Sequence, residues 1–392
     1  RRTRCWRSPI RATHRRIRKL IRHSARPNTL MRIGIIGGGQ LGRMLALAGY
    51  PLGMRFTFLD PSVDACATQV GECIQGAYDD PTKLQQLADS VDVVTFEFEN
   101  VPVSAVAAIA RNKPFYPPVK ALGASQDRLI EKTLFRELGI PTPEFRAVDS
   151  LADLQQAVNE IGLPGILKTR RLGYDGRGQY RLRKGSDIDA AWQALSGSAL
   201  IYEAFVPFTR EVSVIGARSA NGGIAIYPLN ENQHREGILH LSRTPYRHAT
   251  LQQQAERYLK KLLKHFDYVG ILTVEFFVLR GKLVANEMAP RVHNSGHASI
   301  EGSATSQFEN HLRAICGLPL GSTEPRGHAA MLNFVGSIPA PEHALRQQGV
   351  NFHYYGKEAR PARKLGHATI VANTPGTREL ALKKLLKLAD RS

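Results

Sequence analysis

The feature that most constrains this chain is a short apolar strand running straight into a glycine turn and then a helix. Arg32–Ile36 reads as the strand, Gly37-Gly38-Gly39-Gln40-Leu41-Gly42 as the turn, and Arg43–Gly49 as the helix. A second strand, Arg55–Leu59, ends at Asp60, and a third apolar run, Val91–Phe96, ends in Glu97-Phe98-Glu99-Asn100. Short apolar strands alternating with helical stretches predict a parallel α/β sheet with ligands at the strands' carboxyl ends. We place this first domain at residues 31–127. The glycines let backbone N–H groups approach an anion, and the helix N-terminus favours negative charge. The turn satisfies G-x-G-x-x-G, with Asp60 about where a dinucleotide-binding acid would stand. An NAD(P)-dependent oxidoreductase and a tight turn with no ligand both stay open on these residues alone.

The texture changes after the helical stretch Arg128–Leu138 and the Gly139-Ile140-Pro141-Thr142-Pro143 linker. Strand signals at Gly165–Lys168, Tyr180–Leu182, Ala199–Tyr202, Val212–Ile215 and Ile224–Tyr227 surround helices at Ser150–Ile161 and Leu251–His265. A long hairpin runs from Gly270 to Met288. This α+β pattern predicts a central domain over residues 128–329, with a lid subdomain at about 144–205. Residues 330–392 predict a small β-rich cap closed by a helix over Thr377–Ala389.

Composition narrows the function classes. The chain has 392 residues, 43% of them hydrophobic, enough for several domains with buried cores. No apolar run approaches the ~20 residues that cross a bilayer. The four cysteines, Cys5, Cys66, Cys73 and Cys316, form no CxxC pair, which argues against a disulfide scaffold or a zinc ribbon. The net charge of +19 is concentrated in residues 1–30, which hold ten Arg, one Lys and no acid; the remainder carries only +8. Three origins remain for that basic leader: upstream sequence or a cloning remnant, an organellar transit peptide, or a nucleic-acid-binding arm. It is too poor in apolar residues to build a core, and disorder is expected there. The mildly basic remainder suits anionic small molecules.

Four further motifs carry chemistry. Gly173-Tyr174-Asp175-Gly176-Arg177-Gly178-Gln179 has the composition of a flexible lid over phosphates, and Lys168 ends the preceding strand as a phosphate partner. An ordinary glycine-rich hairpin is the plainer alternative. In the 270–288 hairpin, folding about Gly281 sets Glu275 opposite Glu287, give or take one residue. Two carboxylates facing each other among apolar neighbours are unfavourable unless a cation lies between them, and carboxylates near a phosphate suit Mg²⁺. A pair sharing a proton is the alternative. Next comes Ala289-Pro290-Arg291-Val292-His293-Asn294-Ser295-Gly296-His297. There Arg291 can stabilise developing negative charge, and His293 and Asn294 can orient a small oxyanion. Lys357, Arg360, Arg363 and Lys364 sit in a Pro- and Gly-punctuated basic loop able to aim cations at a phosphate.

These motifs, in this order, resemble the ATP-grasp superfamily, and within it the N5-carboxyaminoimidazole ribonucleotide synthetase family. The residues carrying the resemblance are GGGQLGRML (37–45), TFEFENV (95–101), GYDGRGQ (173–179), NEMAPRVHNSGH (286–297), SQFENHLRAI (306–315) and KEARPARKLGH (357–367). It spans Met31 to about Thr377. GYDGRGQ together with APRVHNSGH is specific to this family, whereas GGGQLG alone is not. The resemblance implies a Rossmann-like pre-ATP-grasp domain, an ATP-grasp domain with a mobile lid, and a β-rich C-terminal domain. It implies an ATP- and bicarbonate-dependent carboxylation of 5-aminoimidazole ribonucleotide through carboxyphosphate, in purine biosynthesis. A cytoplasmic homodimer, functionally coupled to the mutase that isomerises the product, is expected, with no membrane or nucleic-acid partner. A neighbouring ligase acting on another purine intermediate or on biotin is the nearest alternative.

The same resemblance assigns residues. Nucleotide contacts fall on Arg128, Lys168, Gly173, Tyr174, Asp175, Gly176, Arg177, Gly178, Gln179, Glu203, Ala204, Phe205, Val206, Glu211, His234, Asn286 and Glu287. Glu203 and Val206 match the segment whose backbone meets the adenine, and Glu211 the ribose acid. Glu275 and Glu287 match the Mg²⁺ carboxylates, and Arg291, His293 and Asn294 the bicarbonate and carboxyphosphate site. The ribonucleotide falls to Gln40, Leu41, Glu97, Tyr174, Asp175, Arg177, Lys357, Arg360, Arg363 and Lys364. One departure stands out: Ala362 occupies a position where the family's basic loop usually has glycine.

Overall fold

The computed structural model describes residues 30–173 and 178–390, so the basic leader and the lid residues Tyr174–Arg177 lie outside the described residues. The first layer is a parallel sheet of β1 (Arg32–Ile36), β2 (Arg55–Asp60), β3 (Glu72–Gln75) and β4 (Val93–Phe96), ordered β3-β2-β1-β4. β1 is buried from Ile33 onward, which suits the unbroken apolar run of a strand covered on both faces. β3 went unpredicted because it is a partly exposed edge strand of mixed polarity.

A small antiparallel sheet follows, built from β5 (Phe145–Val148), β6 (Gly165–Thr169), β7 (Gln179–Leu182) and β8 (Leu200–Ala204), ordered β5-β8-β6-β7. Helices Leu151–Ile161 and Ile188–Leu195 cover it, burying Leu154, Ala157 and Ala191 against Leu167 and Tyr202.

The largest sheet has nine strands: β9 (Arg210–Arg218), β10 (Ile224–Ile226), β11 (Asn230–Arg235), β12 (Ile238–Thr244), β13 (Gly270–Leu279), β14 (Lys282–Ala289), β15 (His328–Val335), β16 (Val350–Tyr354) and β17 (Lys364–Ala372). Its main path runs β14-β13-β9-β11-β12-β15-β17-β16, with β10 paired to β9. The C-terminal block does contain strands and a closing helix, Pro375–Ala389. Its strands, however, continue the central sheet: β15 pairs antiparallel with β12, Leu241 opposite Leu332. That pairing covers an edge that β12 would otherwise leave open. Leu382 and Leu385 of the helix pack on Leu332 and Ile370.

The first layer docks on this sheet through one shared core. Ile33, Leu45 and Phe58 pack in the same cluster as Ile215, Ile271, Phe308 and Leu312. Gly49 permits the close approach, since a Cβ there would lie 2.4 Å from Phe56 and 3.0 Å from Leu312. A buried histidine pins the junction: the Ile271 backbone N–H donates to His311 Nδ1 at 3.2 Å, and His311 Nε2 lies 2.9 Å from Thr95 Oγ1. The accepted N–H requires a neutral ring, so Nε2–H donates to Thr95.

Burial pushes His311 down to about 3. Its folded pKa is thus below its unfolded value of about 6.5. The stability this residue contributes is complete above pH ~6.5 and is lost as pH falls toward ~3. His311→Gln should therefore flatten the pH dependence of unfolding between pH 6 and 4, by up to about 1.4 kcal/mol per pH unit relative to wild type. Urea melts of both proteins across that range check it, and parallel pH profiles would contradict it.

Candidate active site

The glycine turn is held from within the protein. Gly38 N donates to Asp60 Oδ2 at 2.7 Å, and Gly42 N to Glu97 Oε2 at 2.6 Å; Gly39 N donates to Glu97 Oε1. Asp60 also accepts from Ser62 N at 2.9 Å and from the Tyr78 hydroxyl at 2.7 Å. Two carboxylates thus occupy the donors that a dinucleotide pyrophosphate would need, and the nicotinamide alternative fails on that geometry. The Glu97 carboxylate satisfies the first amides of the helix, which starts at Gln40 rather than at the expected Arg43. Gly39 is required because a Cβ would lie 2.3 Å from Glu97 Oε1.

The basic loop reaches this turn: Lys357 Nζ donates to Gln40 Oε1. Arg360 is held by Glu358 at 2.6 Å, and Arg363 Nη1 donates to the Glu358 carbonyl at 3.2 Å. Ala362 has φ of 60°, in the left-handed region that favours glycine.

The 270–289 hairpin turns at Arg280 and Gly281, both at positive φ, 49° and 73°, as a two-residue hairpin loop demands. Up the hairpin, Phe276 opposes Ala285, and then a bulge takes in Asn286 so that Glu275 opposes Glu287. The bulge sets both carboxylates on one face. Burial, then the Glu287 charge, pushes Glu275 up to about 7. Glu287 accepts from Arg128 Nη1 at 3.1 Å, and Lys132 Nζ donates to the Asn286 carbonyl at 3.0 Å. His293 Nε2 lies 3.5 Å from Glu275 Oε1, and His234 Nδ1 lies 2.7 Å from Glu211 Oε2.

Deeper in, Glu203 Oε2 meets Lys168 Nζ at 3.0 Å and Lys132 Nζ at 3.2 Å. Burial works to raise Glu203, but Lys132, Lys168 and Arg128 outweigh it and hold it down at about 2. Its Oε1 is buried with no hydrogen-bond partner. Behind it, Phe205 lies under the Arg181 guanidinium at 4.0 Å, and Val206 is buried. Arg128 Nη2 donates to the Gly173 carbonyl at 3.1 Å, which ties the lid's near end to this side. At its far end, Gly178 adopts φ of 67° and Gln179 pairs with Lys168.

A cleft of about 820 Å³ lies where the three blocks meet. It brings together Gln40, Leu41, Glu97, Arg128, Gly173, Glu287, Arg291, His293, Asn294, Lys357, Arg360, Arg363 and Lys364. Lys168, Gly178, Gln179, Glu203, Ala204, Phe205, Val206, Glu211, His234, Glu275 and Asn286 stand outside its lining. Of these, Asn286 and Glu275 adjoin Glu287 on the hairpin, and Lys132 joins Asn286 to the Glu203–Lys168 pair.

The chain matches three domain families in order: the ribonucleotide synthetase pre-ATP-grasp domain over residues 30–126, the ATP-grasp domain over 133–308, and the phosphoribosylaminoimidazole carboxylase C-terminal domain over 329–379. It is 54% identical over 340 residues to N5-carboxyaminoimidazole ribonucleotide synthase of Pseudomonas aeruginosa, covering 87% of this chain and 94% of that protein. The crystal structure of the synthetase from Thermus thermophilus superposes with a TM-score of 0.88 at 51% identity, covering 91% of this chain and 98% of the other. The Aspergillus clavatus synthase, solved with ADP and 5-aminoimidazole ribonucleotide, gives 0.86 at 33% identity over 93% of this chain and 99% of that one. The chain belongs to the N5-carboxyaminoimidazole ribonucleotide synthase family.

Several residues in the lining of the cleft or bonded to residues beside it escaped the sequence reading. Glu99 engages Arg291 in a two-pronged pair, with Nη2 at 2.7 Å from Oε1 and Nε also bound, so the guanidinium does not stand free. The alternation Glu97-Phe98-Glu99 was the available signal. Glu131, which accepts from Met288 N at 2.7 Å, and Lys132 occupy consecutive positions on helix Arg128–Glu137. Asn333 trades amide hydrogen bonds with Asn294 at 2.7 and 3.2 Å, a partner no local pattern announces.

Ala362→Gly in this synthase should relieve the positive-φ strain and raise stability by about 1 kcal/mol. An upward shift of the urea midpoint checks it; a lower midpoint would show that the loop carries no strain at Ala362.

Proposed function

We propose that this family member, an ATP-dependent carboxylating ligase, joins bicarbonate to the amine of 5-aminoimidazole ribonucleotide. The observation that carries the reading is the single cleft. It gathers the Arg291-Val292-His293-Asn294 loop, the Lys357–Lys364 basic loop, the Gln40-Leu41 turn and the Arg128–Glu287 pair. An anionic ribonucleotide, a small oxyanion and a triphosphate each find a matching wall.

On this reading ATP lies between the small sheet and the hairpin. Lys168 and Arg128 bind phosphates, residues Glu203–Val206 meet the base, and Glu211, held by His234, takes the ribose. Gly173, Gly178 and Gln179 contact the phosphates, and Tyr174, Asp175, Gly176 and Arg177, which lie outside the described residues, are assigned to the nucleotide with them. Glu275 and Glu287 would hold Mg²⁺, with Asn286 beside them. Burial first, and then the facing Glu287 charge, raise the Glu275 carboxyl, and a cation between the two acids would oppose that shift. When bound, Mg²⁺ would screen the negative charge of the phosphates.

Bicarbonate oxygen attacks the γ-phosphate, forming carboxyphosphate and releasing ADP. Carboxyphosphate breaks down to CO₂ and phosphate, and the aminoimidazole nitrogen adds to CO₂ with loss of a proton. Arg291, His293 and Asn294 orient the oxyanion. Arg291 brings its charge while sharing donors with Glu99. Gln40, Leu41, Glu97, Lys357, Arg360, Arg363 and Lys364 seat the ribonucleotide, with the lid residues Tyr174, Asp175 and Arg177. We further propose a homodimer working in the cytoplasm. The N-carboxylated product is labile, which favours coupling to the mutase that moves its carboxyl group. No helix among the described residues is long and apolar enough to cross a membrane.

ADP release with Mg-ATP and bicarbonate should depend strongly on 5-aminoimidazole ribonucleotide; release indifferent to it would redirect the assignment to another ligase of the superfamily. Glu287→Gln should lower turnover by about 100-fold or more through lost charge compensation, and near-normal turnover would remove the metal role. Arg360→Ala should raise the ribonucleotide KM by about tenfold with kcat little changed; steady-state kinetics with an unchanged KM would remove that loop from the substrate site.

A further inference from the structure

Behind the His293 loop lies a file of buried polar side chains that the proposed chemistry leaves unused. Ser213 on β9, Asn232 on β11 and Ser242 on β12 stand on adjacent strands, and Ser295 follows His293 in the loop. Ser213 and Ser295 are wholly buried, Ser242 is 1% exposed and Asn232 4%. Ser242 Oγ donates to Asn232 Oδ1 at 2.9 Å, Asn232 Nδ2 to Ser213 Oγ at 3.0 Å, and Ser213 Oγ to Ser295 Oγ at 2.8 Å. Ser295 Oγ lies 2.9 Å from His293 Nδ1.

A file of hydroxyls and one amide can run in either direction if the amide turns over. One backbone group decides the direction here. Ser295 N–H points at His293 Nδ1 from 3.3 Å, so Nδ1 must carry a lone pair. The Ser295 hydroxyl, already accepting from Ser213, is then left to donate to Nδ1. Each of the three inner members donates once and accepts once along the file, whose bonds point at the imidazole; at its outer end the Ser242 hydroxyl is shared between Asn232 Oδ1 at 2.9 Å and the Ser295 carbonyl at 3.3 Å. The ring hydrogen is thereby placed on Nε2, the nitrogen nearer Glu275, in a side chain that lines the cleft.

Taking the proposed carboxylation as its basis, we propose that Ser295, Ser213, Asn232 and Ser242 are positioning residues that fix His293 as a neutral Nε2–H donor. His293 then serves the reaction by donating a hydrogen bond to an anionic oxygen, and takes no proton as a general base. Apolar side chains of similar volume could fill the same strand positions without cost to folding. They could not hold Nδ1 as an acceptor, as partners of this kind do for functional imidazoles elsewhere.

Nitrogen-15 NMR of the imidazoles tests this, with the His293 signals identified by their loss in His293→Gln. The wild-type spectrum should show Nδ1 bare and Nε2 protonated; a protonated Nδ1 would overturn the relay, and this measurement needs no relay variant to fold. Ser213→Ala should mix the tautomers and lower kcat about tenfold, with the KM values for ATP and the ribonucleotide within about twofold. In a His293→Gln background the same substitution should cost nothing more. An unchanged kcat, or an equal loss with and without His293, would overturn the relay. If wild-type protein carboxylates no ribonucleotide, the proposed activity fails, and the tautomer measurement still decides the relay separately.

Discussion

Two like charges facing each other across a β-hairpin set the terms for the rest of this site. Glu275 and Glu287 would lie on opposite faces of their strands in an unbroken register, and only the bulge at Asn286 turns them to one side. Having done so, the fold must surround them with cations. Arg128 meets Glu287 from the start of one helix, and Lys132, one turn on, takes the bulged carbonyl and reaches back to Glu203. Around Glu275 the compensation is looser: an imidazole stands at 3.5 Å, and the charges of His234 and Lys364 also act on it. A site that is electrostatically complete on its own would have little use for a divalent cation. Here burial and the facing Glu287 charge still hold the Glu275 carboxyl above its usual range.

Much of this was legible in the sequence, and the parts that were not share a cause. β1, β2, the hairpin and the closing helix were all found from local apolar patterns. The pairing of Glu275 with Glu287 could be placed only to within one residue, because a bulge leaves no signature in composition. The start of the first helix at Gln40 was missed because its cap, Glu97, comes from just past the end of β4, more than fifty residues away. Glu99, Lys132 and Asn333 were missed for the same reason: each acts on a residue from a different stretch of chain. Motif resemblance named the ends of these contacts that sit in glycine-rich or polar runs. It gave no role to Glu99, although TFEFENV contains it, and was silent on Lys132 in a helix and Asn333 in a strand.

The glycine turn shows how the same local physics can serve another end. Its donors would welcome a phosphate, and here the protein supplies its own anions in Asp60 and Glu97. The turn becomes a rigid base on which Gln40 and Leu41 are presented to the cleft, and Lys357 closes on Gln40 from the C-terminal block. Glycine is needed in both uses, since backbone must approach an oxygen closely, and the motif alone therefore could not tell a bound cofactor from a built-in carboxylate.

The contacts that define the cleft are nearly all joints between blocks. Lys357 with Gln40 joins the last block to the first, Glu99 with Arg291 the first to the central one, and Asn294 with Asn333 the central one to the last. No block alone holds the oxyanion loop, the basic loop and the glycine turn in mutual range. Two features make their docking firm: a sheet that passes without interruption from the carboxylate hairpin to the basic loop's own strand, and a core shared between β1 and the central sheet. The small sheet joins the rest through polar ties such as Arg170 with Asp127 at 2.7 Å and Glu203 with Lys132 at 3.2 Å. On the proposed placement of the nucleotide, the sheet that receives it is thus tied to the rest by hydrogen-bonded charges, and the walls assigned to the reacting oxygens by a continuous sheet and a shared core.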